Sequence, residues 1–366
     1  MKYDMSKKKI FRNPQGSKDW LPDEVRKQDF IRESLFSVFE LWGYQPIQTP
    51  ILINRDTLGL GSKNLLNQAF SLIGHQGELL ALRADLTTPI ARATAERMQN
   101  EKLPLRFYYV GKVFRAKARK TTNERELYQI GTELIGAKEG NSDFECLKIF
   151  LDSLDKLGLK NYLVLVNHAG FWNELIEKYG DFARDLYFAL SHKDIVQYKN
   201  TIKNSKITKD EKIFFSKLVS IKGGKEILPQ IKSVSKKCKK INFNKIYNYY
   251  ENLFNVFDKN IQVDFSFTND IDYYSGIYFE ALSPVLGRSV GGGGRYDDLI
   301  SKFGFNVPAI GFSFCLEDLL LVLENEGKTF SKTGNVKSID PKKNLKEAFL
   351  SIGRLHKSKT KANIQL

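Results

Sequence analysis

The chain has 366 residues, of which 42% are hydrophobic, enough to bury a large core as one domain with an insertion or as two smaller domains. Charged residues interrupt every apolar run before the roughly 20 residues that a spanning helix needs, and no apolar stretch follows the first lysines, so the cytoplasm is the expected compartment. The net charge of +15 is spread through polar stretches such as Ser235–Lys240 and Lys328–Lys343, which read as solvated faces and not as a phosphate-binding groove with placed arginines and aromatics.

Residues 23–41 set Val25, Phe30, Leu35, Val38 and Phe39 at helical spacing and run to Trp42-Gly43, where a glycine C-cap is expected. Tyr44–Leu52 reads as a strand whose Pro46 and Pro50 suit a sheet edge or a subunit boundary. Arg106–Phe114 and Arg125–Gly136 are β-rich runs around the polar stretch Arg115–Glu124, and together they predict an antiparallel hairpin with a long loop. The pattern is helical from Asn141 through Leu157, Tyr162–Val166 is a short strand, and residues 168–255 read mainly as helices that form an insertion.

Strand character returns at Ile261–Phe267 and Gly276–Leu282. The glycine run Gly291–Gly294 follows, which taken alone reads as a tight turn or a bulge, then a helix from about Arg295, a strand at Ala309–Phe314 and a helix at Leu316–Leu323. Late strands after a helical middle imply one discontinuous sheet within residues 1–325. Residues 326–366 are rich in lysine, with one helix candidate at Leu345–Leu355, and form a tail too small for its own core.

Six strings in this order and spacing resemble class II histidyl-tRNA synthetases and their relatives, over roughly residues 13 to 323. Asn13–Glu24 (NPQGSKDWLPDE) resembles that family's opening segment. Leu41–Leu52 (LWGYQPIQTPIL) resembles motif 1, with Pro50 in the place of the dimer-interface proline. Leu105–Gly136 resembles motif 2, with Arg115 after the first strand and Gln129 and Glu133 on one face of the second, because alternate strand residues share a face. Asp272–Glu280 (DYYSGIYFE) and Gly291–Leu299 (GGGGRYDDL) resemble two peptides of the histidine-specific branch, and Gly311–Leu320 (GFSFCLEDLL) falls where motif 3 belongs. The resemblance implies an α+β class II fold: a mainly antiparallel sheet flanked by helices, with a helical insertion and a homodimer.

Free histidine presents an ammonium, a carboxylate and an imidazole, so a selective pocket needs an anion, a cation and polar groups matched to the ring nitrogens. The resemblance implies that Asp85 and Thr87, in the string LRADLTTPIAR, hold the ammonium with Gln129; the synthetases carry glutamate where this chain has Asp85. It further implies that Glu133 accepts from one ring nitrogen, that Tyr274 meets the other, that Tyr273 and Tyr296 wall the pocket and that Arg115 faces the carboxylate. Plainer readings exist for each. Asp85 could pair with Arg83 or Arg92 at the surface, the tyrosines could be core aromatics, and Glu133 could be an exposed strand residue.

Asp272 and Arg295 read as structural. His75, His168, His192 and His356 match no position in the motifs, and Cys146, Cys238 and Cys315 form no CxxC pair, so no catalytic histidine, metal, disulfide or cofactor is expected.

Adenylate formation develops negative charge on a polyphosphate, which class II enzymes neutralise with arginines and magnesium. Against the synthetases, Glu317 is followed by Asp318 instead of arginine, Asn269 stands three residues before Asp272 where arginine belongs, and Asn123 stands two before the retained Arg125. A carboxylate at Asp318 is expected to repel the phosphates instead of clamping them, and it also suits the first turn of a helix through the helix dipole. After Leu323 the lysine-rich tail is too short for an anticodon-binding domain.

The strings RADLTTPIAR and ERELYQIGTELIG are most similar to the branch of regulatory subunits of ATP phosphoribosyltransferase. That resemblance implies a non-catalytic subunit and a short catalytic subunit as partner, which condenses ATP with phosphoribosyl pyrophosphate. It also implies a hetero-octamer, a self-dimer through motif 1, and histidine as feedback effector, with neither tRNA nor membrane as a partner. A truncated histidine-tRNA ligase and a stand-alone histidine or RNA sensor are the alternatives.

Overall fold

Helix α1 (Pro22–Leu41) starts where proline is tolerated, at its first position, with Glu24 Oε2 accepting from the Leu21 amide at 2.9 Å. It buries Ile31, Leu35, Val38 and Phe39 and ends before Gly43, whose φ of +78° a side chain would strain. The computed structural model describes residues 13–117, 124–257, 260–268 and 273–330, with short stretches between 337 and 364. Asn123, Asn269, Asp272, His356 and most of the helix candidate at 345–355 lie outside the described residues.

After α1 come β1 (Gln45–Pro46), β2 (Leu52–Asn54), α2 (Arg55–Gly61), α3 (Lys63–Leu66), β3 (Ser71–Ile73), β4 (Leu79–Leu82) and α4 (Thr87–Arg97). The hairpin β5 (Leu105–Phe114) and β6 (Glu126–Ile135), α5 (Asn141–Leu157) and β7 (Leu163–His168) follow. A helical stretch then runs through α6 (Ala169–Tyr179), α7 (Asp181–Ser191), α8 (Ile195–Asn204), α9 (Lys209–Leu218), β8 (Lys222–Gly223), α10 (Leu228–Ser235) and α11 (Phe243–Val256). The chain continues as β9 (Ile261–Asp264), β10 (Ile277–Ser283), β11 (Arg288–Arg295), β12 (Ala309–Cys315) and α12 (Leu316–Asn325). These elements belong to one compact unit, residues 1–327; in the second, 328–366, β13 (Lys337–Ile339) pairs in parallel with β14 (Ala362–Ile364).

Nine strands form one sheet in the order β1-β5-β6-β12-β11-β10-β7-β9-β8, parallel at β1/β5 and β7/β9 and antiparallel elsewhere. The expected discontinuous sheet is present, with β9 to β12 inserted beside strands from the first half. One face of its centre is closed by α5 and α1. Phe150 of α5 stacks on Phe314 at 4.7 Å and meets Phe279 and Phe312 edge-on, and Phe39 of α1 reaches Phe312. Because strand side chains alternate, Gly311 and Ser313 point to the opposite face.

Three expectations change. The strand read at 44–52 is two short strands in different sheets: β1 lies at the edge of the large sheet, and β2 joins β4 and β3 in a three-stranded sheet. The glycine run is not a turn but extended strand within β11, and the bulge falls just before it, where Val290 is skipped between the pairs Ala281↔Gly291 and Leu282↔Ser289. No helix begins at Arg295, which still pairs with Ile310; the local helical pattern gives only a short 3-10 turn, Ile300–Phe303, because sheet pairing wins there. No helix among the described residues is long and apolar enough to cross a membrane.

Arg295 is buried and ties β11 to the start of α5. Its Nε donates to Asp143 Oδ1 at 2.7 Å, Nη1 to Asp297 Oδ1 at 2.8 Å and Nη2 to Ser142 Oγ at 2.6 Å. A buried guanidinium so completely paired holds structure.

Candidate functional site

Two adjoining cavities open on the sheet face turned away from α5. The smaller, about 260 Å³, is lined by Asp85, Thr87, Arg115, Gln129, Tyr273, Tyr274 and Tyr296, which are all of the residues expected from sequence except Glu133. The larger, about 630 Å³, shares Arg115, Gln129, Tyr274, Gly292, Gly293 and Ser313 with it and runs past Asp264 and Glu280 to Lys193, between α7 and α8. Pocket residues that sequence reasoning missed include Ser62, Asn64 and Gln68, from a segment with no regular period, and Gly311 and Ser313 of β12. A broader open groove of about 970 Å³ on α7 and α8 contains none of the expected residues.

Asp85 is buried just before α4. Its Oδ2 accepts from the Thr88 amide at 3.1 Å and from Thr88 Oγ1 at 2.9 Å, satisfying donors at the helix start. Its Oδ1 is buried without a hydrogen-bond partner among the described residues. Burial raises its carboxyl above the usual range, against the two Thr88 bonds and the charges of Arg115 and Arg83. The surface ion pair considered from sequence is absent: Arg83 is buried and donates to the carbonyls of Thr49 at 2.6 Å and Lys112 at 2.7 Å, while Arg92 pairs with Glu96.

Glu133 lies beneath this cavity. Thr87 Oγ1 donates to its Oε1 at 2.8 Å and Tyr296 Oη donates to Oε2. At 1% exposure it is not a solvated strand residue, and burial pushes its carboxyl up to about 7 against the hydroxyl bonds of Tyr296, Thr87 and Tyr109. It therefore braces two lining residues, Thr87 and Tyr296, from below.

Tyr273 meets Tyr274 and Tyr296 edge-on at 5.4 and 5.8 Å, and Tyr274 lies parallel to Tyr278 at 6.1 Å. Burial pushes the hydroxyls of Tyr273, Tyr274 and Tyr296 well up, so each stays protonated and able to donate. The segment is clamped to β11 by the Ser275 amide, which donates to the Arg295 carbonyl at 2.8 Å.

The motif 3 position corrects one expectation. Asp318 is buried and accepts from Arg288 Nη2 at 2.5 Å, and it lines neither cavity, so its charge is neutralised inside the protein instead of repelling a ligand. Its neighbour Glu317 accepts from the Tyr128 amide at 3.0 and 3.1 Å and is pushed by burial up to about 7. His168 caps α6, with Nδ1 accepting from the Gly170 amide at 3.1 Å and Nε2 bonded to Glu139 at 2.8 Å. Among the described residues no group of three His, Cys, Asp or Glu has metal-holding geometry.

The family described as histidyl-tRNA synthetase matches residues 16–319. The chain is also 34% identical to the ATP phosphoribosyltransferase regulatory subunit of Halothermothrix orenii, over 87% of this chain and 78% of the relative. The chain belongs to the ATP phosphoribosyltransferase regulatory-subunit family. The Bacillus licheniformis regulatory subunit is 33% identical over 86% of this chain and 82% of its own length. A solved structure described as an ATP phosphoribosyltransferase regulatory subunit/histidyl-tRNA synthetase from Bacillus halodurans matches with a TM-score of 0.87 at 27% identity, over 97% of this chain and 93% of that one. A Nostoc histidyl-tRNA synthetase, at 20% identity and a TM-score of 0.81 over 97% of this chain and 86% of that one, shows the fold alone. As a regulatory-subunit family member the chain is a non-catalytic subunit of an enzyme complex, built on the class II histidyl-tRNA synthetase fold.

Proposed function

We propose that this subunit binds free histidine in the smaller cavity and relays its presence to a short catalytic subunit of ATP phosphoribosyltransferase, which condenses ATP with phosphoribosyl pyrophosphate in the first step of histidine biosynthesis. The observation that carries the reading is Asp85 Oδ1, a buried carboxylate oxygen without a hydrogen-bond partner among the described residues, in a cavity suited to a small metabolite. Leaving such an atom unsatisfied costs about 1–3 kcal/mol or more, and a ligand ammonium supplies the missing donor.

In this reading Gln129 and Thr87 add polar contacts to the ammonium, Arg115 meets the carboxylate, and Tyr274 donates to a ring nitrogen while Tyr273 and Tyr296 wall the ring. Glu133 serves recognition through Thr87 and Tyr296. Histidine acts as a feedback inhibitor if it prefers an inactive arrangement of the complex, since equal affinity for both arrangements shifts nothing.

The larger cavity argues against adenylation. Among the described residues its lining sets Arg115 and Lys193 against Asp264 and Glu280, a balanced set instead of the cationic clamp a polyphosphate needs. A self-dimer through the motif 1 region is supported by apolar side chains displayed on and beside the small sheet, among them Ile73 at 79% and Leu79 at 56% exposure, while the hetero-octamer rests on the family resemblance alone. The working division is a core of residues 1–325 with its helical insertion at 168–255, and a tail at 326–366.

The test is co-purification with the short catalytic subunit followed by histidine titration. The chain alone should show no phosphoribosyltransferase activity, mixing should produce it, and histidine should suppress it. No gain on mixing, or robust histidine-dependent pyrophosphate exchange with ATP by the chain alone, would overturn the reading.

A further inference from the structure

Asn167, near the end of β7, is completely buried and bonded on both sides of its carboxamide. Its Nδ2 donates to the Phe267 carbonyl at 2.8 Å, and its Oδ1 accepts from the His168 amide at 2.8 Å and from Tyr250 Oη at 3.1 Å. The Phe267 carbonyl takes a second hydrogen bond, 2.6 Å long, from Tyr278 Oη. Tyr250 belongs to α11, the last helix of the helical stretch, and Tyr278 belongs to β10, where its ring lies parallel to that of Tyr274. Tyr274 lines both cavities, and Phe267 and Tyr278 line the larger.

One carboxamide therefore stands between a helix outside the pocket and the tyrosines that shape it. A carboxamide presents a donor and an acceptor a fixed distance apart, and here both are used on a fully buried side chain whose bond to Tyr250 is itself buried. If α11 moves, Tyr250 Oη withdraws from Asn167, the carboxamide must turn or lose a bond, and the Phe267 carbonyl and Tyr278 must follow.

We infer that Asn167 is a positioning residue that couples helix α11 to the tyrosine wall of the smaller cavity, so that the placement of the helical stretch and the affinity for histidine depend on each other. This rests on the proposed reading that histidine occupies that cavity. The dependence is reciprocal: whatever holds α11 in place alters histidine binding, and histidine alters the placement of α11 by the same factor.

The test uses the full chain carrying Tyr250→Phe, which removes one hydroxyl and keeps the ring packed edge-on against Phe265 at 5.7 Å. Histidine affinity by calorimetry should weaken about three- to tenfold, the worth of one hydrogen bond, and amide exchange at Tyr273–Tyr278 should quicken without ligand. Combined with Tyr274→Phe the two losses should fail to multiply, a result that two independent structural defects would not give. Asn167→Asp, which removes the donor to Phe267 and keeps the acceptor, should act in the same direction and more strongly.

Unchanged affinity in Tyr250→Phe, or losses that simply multiply, would overturn the inference. If the unsubstituted chain fails to bind histidine, it is the proposed site that fails. The exchange rates at Tyr273–Tyr278 then decide the coupling alone: faster exchange in Tyr250→Phe supports it and unchanged exchange refutes it.

Discussion

Asp318 Oδ1 accepts from Arg288 Nη2 at 2.5 Å, the carboxylate at 1% side-chain exposure and the guanidinium at 22%. The pair joins the start of β11 to the first turn of α12. Introducing the synthetase-like arginine here places two guanidiniums together in a site built for one ion pair. Asp318→Arg should therefore destabilise the fold by about 3–5 kcal/mol, the usual cost of breaking a buried pair, and should give no histidine-dependent pyrophosphate exchange. Thermal unfolding and the exchange assay check the two halves, and gained exchange would show that the rest of the adenylation chemistry had persisted.

Asp85→Asn keeps an oxygen for Thr88 and removes the negative charge facing the cavity. Histidine affinity should fall at least tenfold, in keeping with roughly 1.5–3 kcal/mol for a hydrogen bond to a charged group. Calorimetry reads the affinity, and a melting temperature near that of the unsubstituted chain shows that the start of α4 is intact. Retained affinity would place the ligand ammonium elsewhere.

Glu133 gives stability a pH dependence of definite sign. Its carboxyl is raised from 4.5 to about 7, so between those values the folded protein holds more protons than the unfolded chain. Stability from this group is highest at the acid end, falls as pH rises through the window and is level above it, by an amount on the order of 3 kcal/mol. Glu317, raised to about 7 as well, contributes in the same window. Glu133→Gln should flatten the slope without abolishing it. Urea unfolding at about pH 5 and about pH 7.5 measures the difference, and an unaltered slope would mean that Glu133 does not titrate there.

The apolar side chains on the small sheet bear on assembly. Ile73→Glu together with Leu79→Glu should convert a dimer into single chains in light scattering after size exclusion. Because both side chains are exposed, the fold should survive the change. A dimer that persists would place the self-contact on another face.

The sequence made the long elements legible and the short ones obscure. Helix α1, the β5/β6 hairpin and α5 declare themselves because their burial repeats over ten or more residues. Strands β2, β3 and β4 run for only three or four residues, too few to show a period, so the small sheet that carries the exposed apolar face went unread. The glycine strand β11 misleads for the opposite reason: its composition signals a flexible turn, while pairing on both sides holds it extended.

At the candidate site, motif resemblance picked out side chains that the structure gathers around one cavity, and it missed their surroundings. Nothing local tells that Asp318 is met by Arg288 thirty residues earlier in the chain, that Glu133 braces Thr87 and Tyr296 from below, or that Asn167 reaches Phe267 across a hundred residues. Those are long-range pairings, and periodicity and spacing carry information about near neighbours.

The bare main chain of β11 has a genetic corollary. A Cβ on Gly292, Gly293 or Gly294 would come within 2.6, 2.1 or 2.8 Å of the carbonyl oxygens of Phe279, Gly311 and Ile277, all fixed by pairing with adjacent strands. Any missense change of a glycine codon adds at least that carbon. Saturation mutagenesis should find three consecutive codons with no tolerated replacement, an intolerance set by strand spacing alone and present whether or not a ligand ever enters the cavity.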